Sequence, residues 1–485
     1  MILAIDQGTT GTTCMVFSED GKIAGRAYRE FQQHFPHPGW VEHDANEIWA
    51  VTEAVARAAI EDAGGGQPKA VGITNQRETV VAWDRATGEP LYRAIVWQDR
   101  RTADRCGELK QEGHEQLVRE RTGLVLDPYY SGTKIEWLVK EGGVDPTRAR
   151  FGTIDSWLIN KLCDGRFATD YTNASRTLLF DIDELGWSGE LCDLLGVDES
   201  CLPEPCPSAH EFGLTTLFGG SVPVAGVAGD QQAALYGQAC QEAGLGKNTY
   251  GTGSFVLENA GGERPAPVDG LLTTVAWGVA GRVDYALEAA IFVTGAAVQW
   301  LRDGLGVIAS ADETEALARS LDSNDGVYFV PALTGLGSPY WDPYARGTIV
   351  GLTRGTTKAH LARAALEAMA YQTVDAVRAM EASAGVKLEE LRADGGATAN
   401  AWMLQFQADL LGVPVVVPEI RETTALGAAY LAGVATGMWS EDDVRSMWTE
   451  AARYEPSMGD DERTTLMEGW RAAIETTRNH SHRLG

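Results

Sequence analysis

The sequence predicts an α/β protein of two domains, each built on a mixed β-sheet. Three observations lead there. The 485 residues exceed what one core encloses, because single cores stop growing near roughly 250–300 residues. The opening stretch runs strand, hairpin, helix and strand, the order of a mixed-sheet α/β unit. Parts of that grammar return in the second half, beginning with another glycine turn inside an apolar run.

The opening strands cover 2–6 and 12–17. The segment between them, Gln7 to Gly11, is too rich in glycine and hydroxyls to continue either one. Asp44 and Glu47 form a capping-box-like start to a helix running towards Gly64, with Ile48, Val51, Val55 and Ala59 on one face. A short apolar strand over 70–74 follows. In the second half, 248–258 carries a Gly-Thr-Gly turn, a long amphipathic helix covers 357–384, and a strand over 391–394 ends in Gly395 and Gly396. A helix near 399–411 and a β-branched strand over 413–417 come next, and the tail from Ser440 reads as a charged surface helix. The divide is expected near 244–247, giving a first domain over 1–245 and a second over 246–485.

The bulk properties narrow the function. A hydrophobic fraction of 44% with 22% charged residues belongs to a chain that folds completely. The net charge of −28 excludes nucleic acid as the main partner, since phosphate backbones attract basic faces. The N-terminus lacks a basic flank and its apolar run breaks at Asp6, so it is not a signal peptide. No stretch approaches the roughly 20 apolar residues of a membrane helix. The cytoplasm, without membrane insertion, is the expected location. The seven cysteines are scattered, without Cys-x-x-Cys spacing, which excludes a disulfide framework or zinc site.

Four constellations carry chemistry. In the first, Asp6 at a strand end meets a loop whose glycines let backbone N–H groups converge and whose threonines add hydroxyls. That combination suits a polyphosphate, with Thr9, Thr10 and Gly11 as donors and Asp6 placed to hold Mg²⁺. A bare hairpin turn accounts for Gly8 but not for acid, glycine and threonine together. No Gly-x-x-x-x-Gly-Lys-Ser/Thr pattern occurs, so this is not a P-loop. The second is Asp230, which follows Gly229 where a small-residue strand gives way to a helix; it is a candidate general base for an alcohol, and a helix cap is the other reading. In the third, Arg77 and Glu78 stand in a polar cluster, 75–79, straight after an apolar strand. An arginine that donates to two hydroxyls beside a glutamate that accepts from them is the pairing a polyol requires; a surface ion pair is the alternative. The fourth is the glycine turn at Gly395 and Gly396, ahead of Asn400, which would admit a flat base or ribose and is weak alone.

Together these residues resemble the FGGY carbohydrate kinase family. Two stretches carry the likeness to its signatures: Tyr129, Tyr130, Lys134, Trp137 and Glu141 within 129–141, and Gly347, Gly351, Leu352, His360 and Glu367 within 347–367. The resemblance covers nearly the whole chain in order, except the last forty or so residues. It implies two actin-like, ribonuclease-H-type domains closing over a cleft, ATP and Mg²⁺ as cofactors, and a homodimer or homotetramer. The cluster at 75–79, with Trp97 and Asp230, is similar to the branch of the family that phosphorylates glycerol. By that likeness Arg77, Glu78, Tyr129, Asp230 and Gln231 bind glycerol hydroxyls, with Trp97 and Phe255 against its carbons. Thr9, Thr10, Thr252, Gly295, Gln299, Gly396 and Asn400 surround the nucleotide. The implied reaction is transfer of the γ-phosphoryl group of ATP to glycerol, giving sn-glycerol 3-phosphate. Alternatives are a family kinase for another polyol or sugar, such as erythritol or xylulose, and more remotely an actin-like ATPase. The chain departs from the family pattern at Thr13, where an arginine often follows the phosphate loop. It also departs within 218–223, which lacks the arginine that binds fructose 1,6-bisphosphate in some relatives, and at Leu217, where others carry a phosphorylatable histidine.

Overall fold

The computed structural model describes residues 1–481. Its first large sheet contains β1 (Ile2–Gln7), β2 (Gly11–Phe17), β3 (Ile23–Glu30), β4 (Ala70–Asn75), β5 (Ala209–Thr215) and β6 (Val222–Gly229), in the spatial order β5-β6-β4-β1-β2-β3. The second contains β7 (Leu245–Tyr250), β8 (Ser254–Gly261), β9 (Leu272–Val279), β10 (Arg282–Ile291), β11 (Glu390–Gly395), β12 (Val415–Pro418) and β13 (Glu450–Tyr454), in the order β9-β10-β8-β7-β11-β12-β13. Both follow one plan. Three antiparallel strands, β1-β2-β3 in one sheet and β7-β8-β10 in the other, are joined by two strands parallel to the first of them and then by an antiparallel edge strand, and the second sheet adds β9 antiparallel to β10 at its other edge. This is the expected pair of actin-like α/β domains, and the faint repeat of the sequence is a repeat of topology.

The local signals act as anticipated. Helix α1 (Ala45–Asp62) is capped by the Asp44 carboxylate, which accepts from the N–H groups of Asn46 and Glu47, and its Ile48, Val51, Val55 and Ala59 are buried in the first core. In the second half, α3 (Lys358–Ala384) begins after Thr357, and α4 (Ala401–Leu411) is capped by Asn400. The tail differs from the expected helix. The helices Glu441–Met447 and Asp460–Ser481 flank β13, which pairs with β12 as the sheet's edge. All seven cysteines are buried and free.

Between β4 and β5 the chain builds a lobe with its own core, including Ile95, Tyr130, Leu138, Phe151 and Leu179. The halves meet through helices. Helix α5 (Thr423–Ala435), although late in the chain, lies on β1, β4 and β6 of the first sheet and packs against α2 (Asp230–Gly237). The approach is backbone to backbone. A Cβ at Gly72 would lie 2.2 Å from the Ala428 carbonyl oxygen, and one at Gly427 would lie 1.8 Å from that of Ala233. Gly427→Val should therefore cost about 1–3 kcal/mol or more through overpacking; urea unfolding measures it, and an unchanged midpoint would mean that the helices can separate freely.

Strand β8 also carries a buried carboxyl. Glu258 is 1% exposed and neither of its oxygens accepts a hydrogen bond from the described residues. Burial, with Glu381 nearby, pushes its pKa from 4.5 up to about 8. Its contribution to stability is complete below about pH 4.5 and is lost as pH rises through about 8. Glu258→Gln should thus gain stability over the parent at pH 9 but not at pH 4.5; a gain that is the same at both pH values would remove Glu258 as the titrating group.

Candidate active site

Three adjacent strands end together. The register sets Asp6 of β1 beside Thr74 of β4, and Gly229 of β6 beside Asn75 of β4. Asp6, the turn after Asn75 and the start of α2 therefore share one edge of the sheet, the carboxyl-end crevice where open α/β sheets bind ligands. Glu78 in that turn has a φ of 62°, a left-handed conformation that is uncommon for a residue other than glycine. Its carbonyl oxygen accepts from the Ser131 hydroxyl at 2.8 Å. Strain held by a specific contact is characteristic of functional turns.

Arg77 and Glu78 are not a surface ion pair. They are 2% and 1% exposed and belong to a buried cluster of charges. Arg77 Nε lies 3.2 Å from Asp230 Oδ1. Its Nη1 donates to Glu288 Oε2 at 2.5 Å and to Gln232 Oε1 at 3.2 Å, and its Nη2 donates to Glu288 Oε1 at 3.1 Å. Arg176, fully buried, donates from Nε to Glu78 Oε1 at 2.7 Å and from Nη2 to Glu288 Oε1 at 3.1 Å. From the second sheet, the Lys247 ammonium donates to Gln231 Oε1 and to Thr249 Oγ1. Burial drives the Asp230 carboxyl above the usual carboxylate range, opposed by Arg77 and Lys247. Burial pushes Glu288 the same way, but Arg176 and Arg77 outweigh it and hold its pKa at about 2. Lys247 is brought down to about 8 by burial, against Asp394 and Asp230.

Beside this cluster stand the aromatics. Trp97 and Tyr129 meet edge to face at 5.4 Å, and the buried Lys134 ammonium donates to the carbonyl oxygens of both residues, at 3.4 and 3.0 Å. The indole N–H of Trp97 donates to Thr9 Oγ1 at 3.0 Å, which ties the aromatic wall to the loop after β1. Phe255 lies half-buried on β8, opposite Thr249, and makes no ring contact with Trp97 or Tyr129. In the loop, Gly8 N–H closes on the Gly11 carbonyl at 2.9 Å, while Thr10 is exposed.

The Asp6 carboxylate is part-buried and accepts no hydrogen bond from the described residues. Burial and the charge of Asp230 push its pKa up to about 7. A carboxylate that lacks protein donors and faces a cleft fits a Mg²⁺ ion, which prefers one or two carboxylates together with substrate phosphates and water. No group of three or more His, Cys, Asp or Glu side chains that could hold a metal ion gathers among the described residues, at Asp6 or elsewhere.

On the second sheet three turns adjoin. Gly295 N–H donates to the Gly251 carbonyl at 3.1 Å and Ala296 N–H to that of Thr252 at 3.0 Å, while Gly395, with a φ of 89°, would place a Cβ 2.2 Å from the Tyr250 carbonyl oxygen. Thr252, Gly396 and Gln299 are exposed around them. Asn400 is committed to structure: its Oδ1 caps α4 and its Nδ2 reaches Thr314 Oγ1 at 3.3 Å.

Sequence reasoning missed Arg176, Glu288 and Lys247, and left Lys134 as a motif residue without a role. Their signal was weak: single charges in apolar or small-residue surroundings, such as Glu288 within the otherwise apolar run 285–291.

A buried polar network supports the strand ends. Gly229 N–H donates to Thr172 Oγ1 at 2.8 Å, Thr172 donates to Asp170, and Asn173 donates to Asp170 and exchanges hydrogen bonds with Asn75. Thr172→Val leaves the Gly229 N–H unpaired one residue before Asp230, and should cost about 1–3 kcal/mol in urea unfolding; a loss under about 0.5 kcal/mol would show that the network does not hold this strand end.

Comparison with known proteins places this geometry. Residues 1–237 match the N-terminal domain of the FGGY family of carbohydrate kinases and residues 246–436 match its C-terminal domain. The chain is 55% identical to a glycerol kinase of Deinococcus radiodurans, covering 99% of this chain and 97% of that one. It is 54% identical to a glycerol kinase of Geobacillus kaustophilus, covering 98% of each. Among solved structures, Plasmodium falciparum glycerol kinase with ADP superposes with a TM-score of 0.94 at 36% identity, covering 98% of each chain.

Proposed function

The chain belongs to the FGGY family of carbohydrate kinases, and from that premise we propose how its cleft works. The protein is an ATP-dependent glycerol kinase in its activity: it transfers a phosphoryl group from ATP to glycerol, as the kinases it resembles are named for doing. The product is sn-glycerol 3-phosphate. The observation that carries the mechanism is the position of Asp230, at the end of β6 with Arg77 Nε at 3.2 Å and Asp6 on a nearby strand.

Arg77 and Glu78 engage glycerol hydroxyls, with Tyr129 and Gln231 beside them, while Trp97 and Phe255 cover the carbons. Asp230 accepts the proton of the terminal hydroxyl as its oxygen attacks the γ-phosphorus in line. Its raised pKa suits this role, because a carboxylate moved towards neutrality is a stronger base. Thr9, Thr10 and Gly11 supply donors to the phosphates. Thr252, Gly295, Gln299 and Gly396 line the nucleotide side, with Asn400 shaping the turn. Asp6 would hold Mg²⁺, which when bound neutralises phosphate charge. Most of the acceleration comes from positioning and charge stabilisation.

The polyol groups stand mainly on the first half and the nucleotide turns on the second, so closing the cleft brings the reactants together and excludes water as a competing acceptor. No helix among the described residues is long and apolar enough to cross a membrane. A cytoplasmic homodimer or homotetramer is the proposed working form.

Coupled ADP release across glycerol, erythritol and xylulose tests the substrate, with glycerol expected to give the highest kcat/KM. Asp230→Asn should lower turnover by at least about 10²–10⁴-fold while nucleotide binding persists. Near-normal turnover in that variant would take Asp230 out of the role of base.

A further inference from the structure

The donor and acceptor inventory of the buried cluster limits how the polyol can be read. A guanidinium has five N–H donors. In Arg77 the contacts to Asp230, Gln232 and the two Glu288 oxygens occupy four, leaving one on Nη2. Glu78 is held at one oxygen: Oε1 accepts from Arg176, and Oε2 accepts from none of the described residues. The free Arg77 donor and the open Glu78 Oε2 can serve two neighbouring hydroxyls.

Glu288 and Arg176 create this situation. Glu288, 1% exposed, lies between two buried guanidiniums and binds both. Without it, two cations would face each other in a desolvated space, where an unpaired charge is very costly. Arg176 turns one Glu78 oxygen away from the ligand, and its own Nη1 has no partner among the described residues. Both lie outside every motif that points to the reaction. Glu288 reaches the cluster from β10, in the second sheet, whereas Arg77 and Glu78 follow β4 in the first.

We propose that Glu288 and Arg176 are positioning residues for polyol recognition. They orient Arg77 and Glu78 so that Arg77 offers its one free Nη2 donor and Glu78 its open Oε2, and the polyol site is complete only when the second sheet delivers Glu288 to the first. This rests on the assignment of glycerol as substrate. It adds a contribution from the half of the molecule that otherwise supplies the nucleotide turns.

The test is steady-state kinetics on the full chain carrying Glu288→Gln. The amide keeps the shape but loses the charge, so Arg77 is no longer gripped through two anionic oxygens. KM for glycerol should rise about 10–100-fold, the range typical for removing a residue that orients a ligand-binding group. KM for ATP and the thermal shift produced by ADP should stay within about twofold. Glu258→Gln, on the neighbouring strand and outside the cluster, provides the control and should leave both KM values unchanged. Should Glu288→Gln lose its cooperative thermal transition, the double variant Glu288→Gln/Arg176→Met removes one charge of each sign and is expected to show the same rise. An unchanged KM for glycerol in either folded variant, or an equal rise in both KM values, overturns the inference. Absence of glycerol-dependent ADP release in the unsubstituted chain would instead overturn the substrate assignment.

Discussion

The cleft depends on one constraint: six ionisable groups, Arg77, Arg176, Lys247, Glu78, Asp230 and Glu288, gather in one place, all of them buried except the part-exposed Asp230. Removing a charge from water costs several kcal/mol unless a partner with good geometry compensates. Three basic and three acidic side chains balance in number; the two arginines donate to carboxylates and to Gln232, and Lys247 donates to Gln231 and Thr249. Such an arrangement adds little to stability compared with an apolar core of the same volume. Its value is directional, because each guanidinium and carboxylate is held in one orientation.

That orientation requires backbone elements to end in the same place. The parallel run of β1, β4 and β6 brings their carboxyl ends level, and the Thr172 and Asp170 network supports Gly229 and Asn75 from behind. It also requires the halves to approach closely. Helix α5 supplies this by crossing onto the first sheet, where glycines let backbone meet backbone. The contact at Gly72 and Gly427 holds the two halves together at close backbone range, and the charges at the cleft lie between them.

These relations explain which parts were legible in the sequence. Asp6 and its loop, the cluster at 75–79 and the Gly229–Asp230 step could be read because each is a local event, a strand giving way to a turn of unusual composition. Helix α1 was legible down to its cap and buried face for the same reason. Glu288 and Arg176 were not, since their roles arise only when residues 98 to 211 positions apart become neighbours. Lys134 was visible as part of a motif, but its hydrogen bonds to the carbonyl oxygens of Trp97 and Tyr129 leave no composition signal. The crossing of α5 and the edge strand β13 were hidden too. The first obeys the topology of the whole chain, and the second takes its partner from a strand more than thirty residues away.

Asp6 stands outside this compensation, and the exception has meaning. Its carboxyl is pushed up to about 7 by burial and by Asp230, and no described residue donates to it. The cluster a few residues away shows that the fold can supply cations to buried acids, so the lack of one at Asp6 is specific to that position. A local arrangement that disfavours the empty protein is expected where a ligand is to complete the site. The neighbouring loop offers hydroxyl and N–H donors but no cation: Thr9 is already tied to Trp97, and Thr13 carries no charge. On the proposed function, positive charge at the Asp6 end of the cleft would arrive as the cation that accompanies the nucleotide phosphates. On that reading the polyol end has its charges balanced by the protein, and Asp6 would be balanced by the nucleotide's cation.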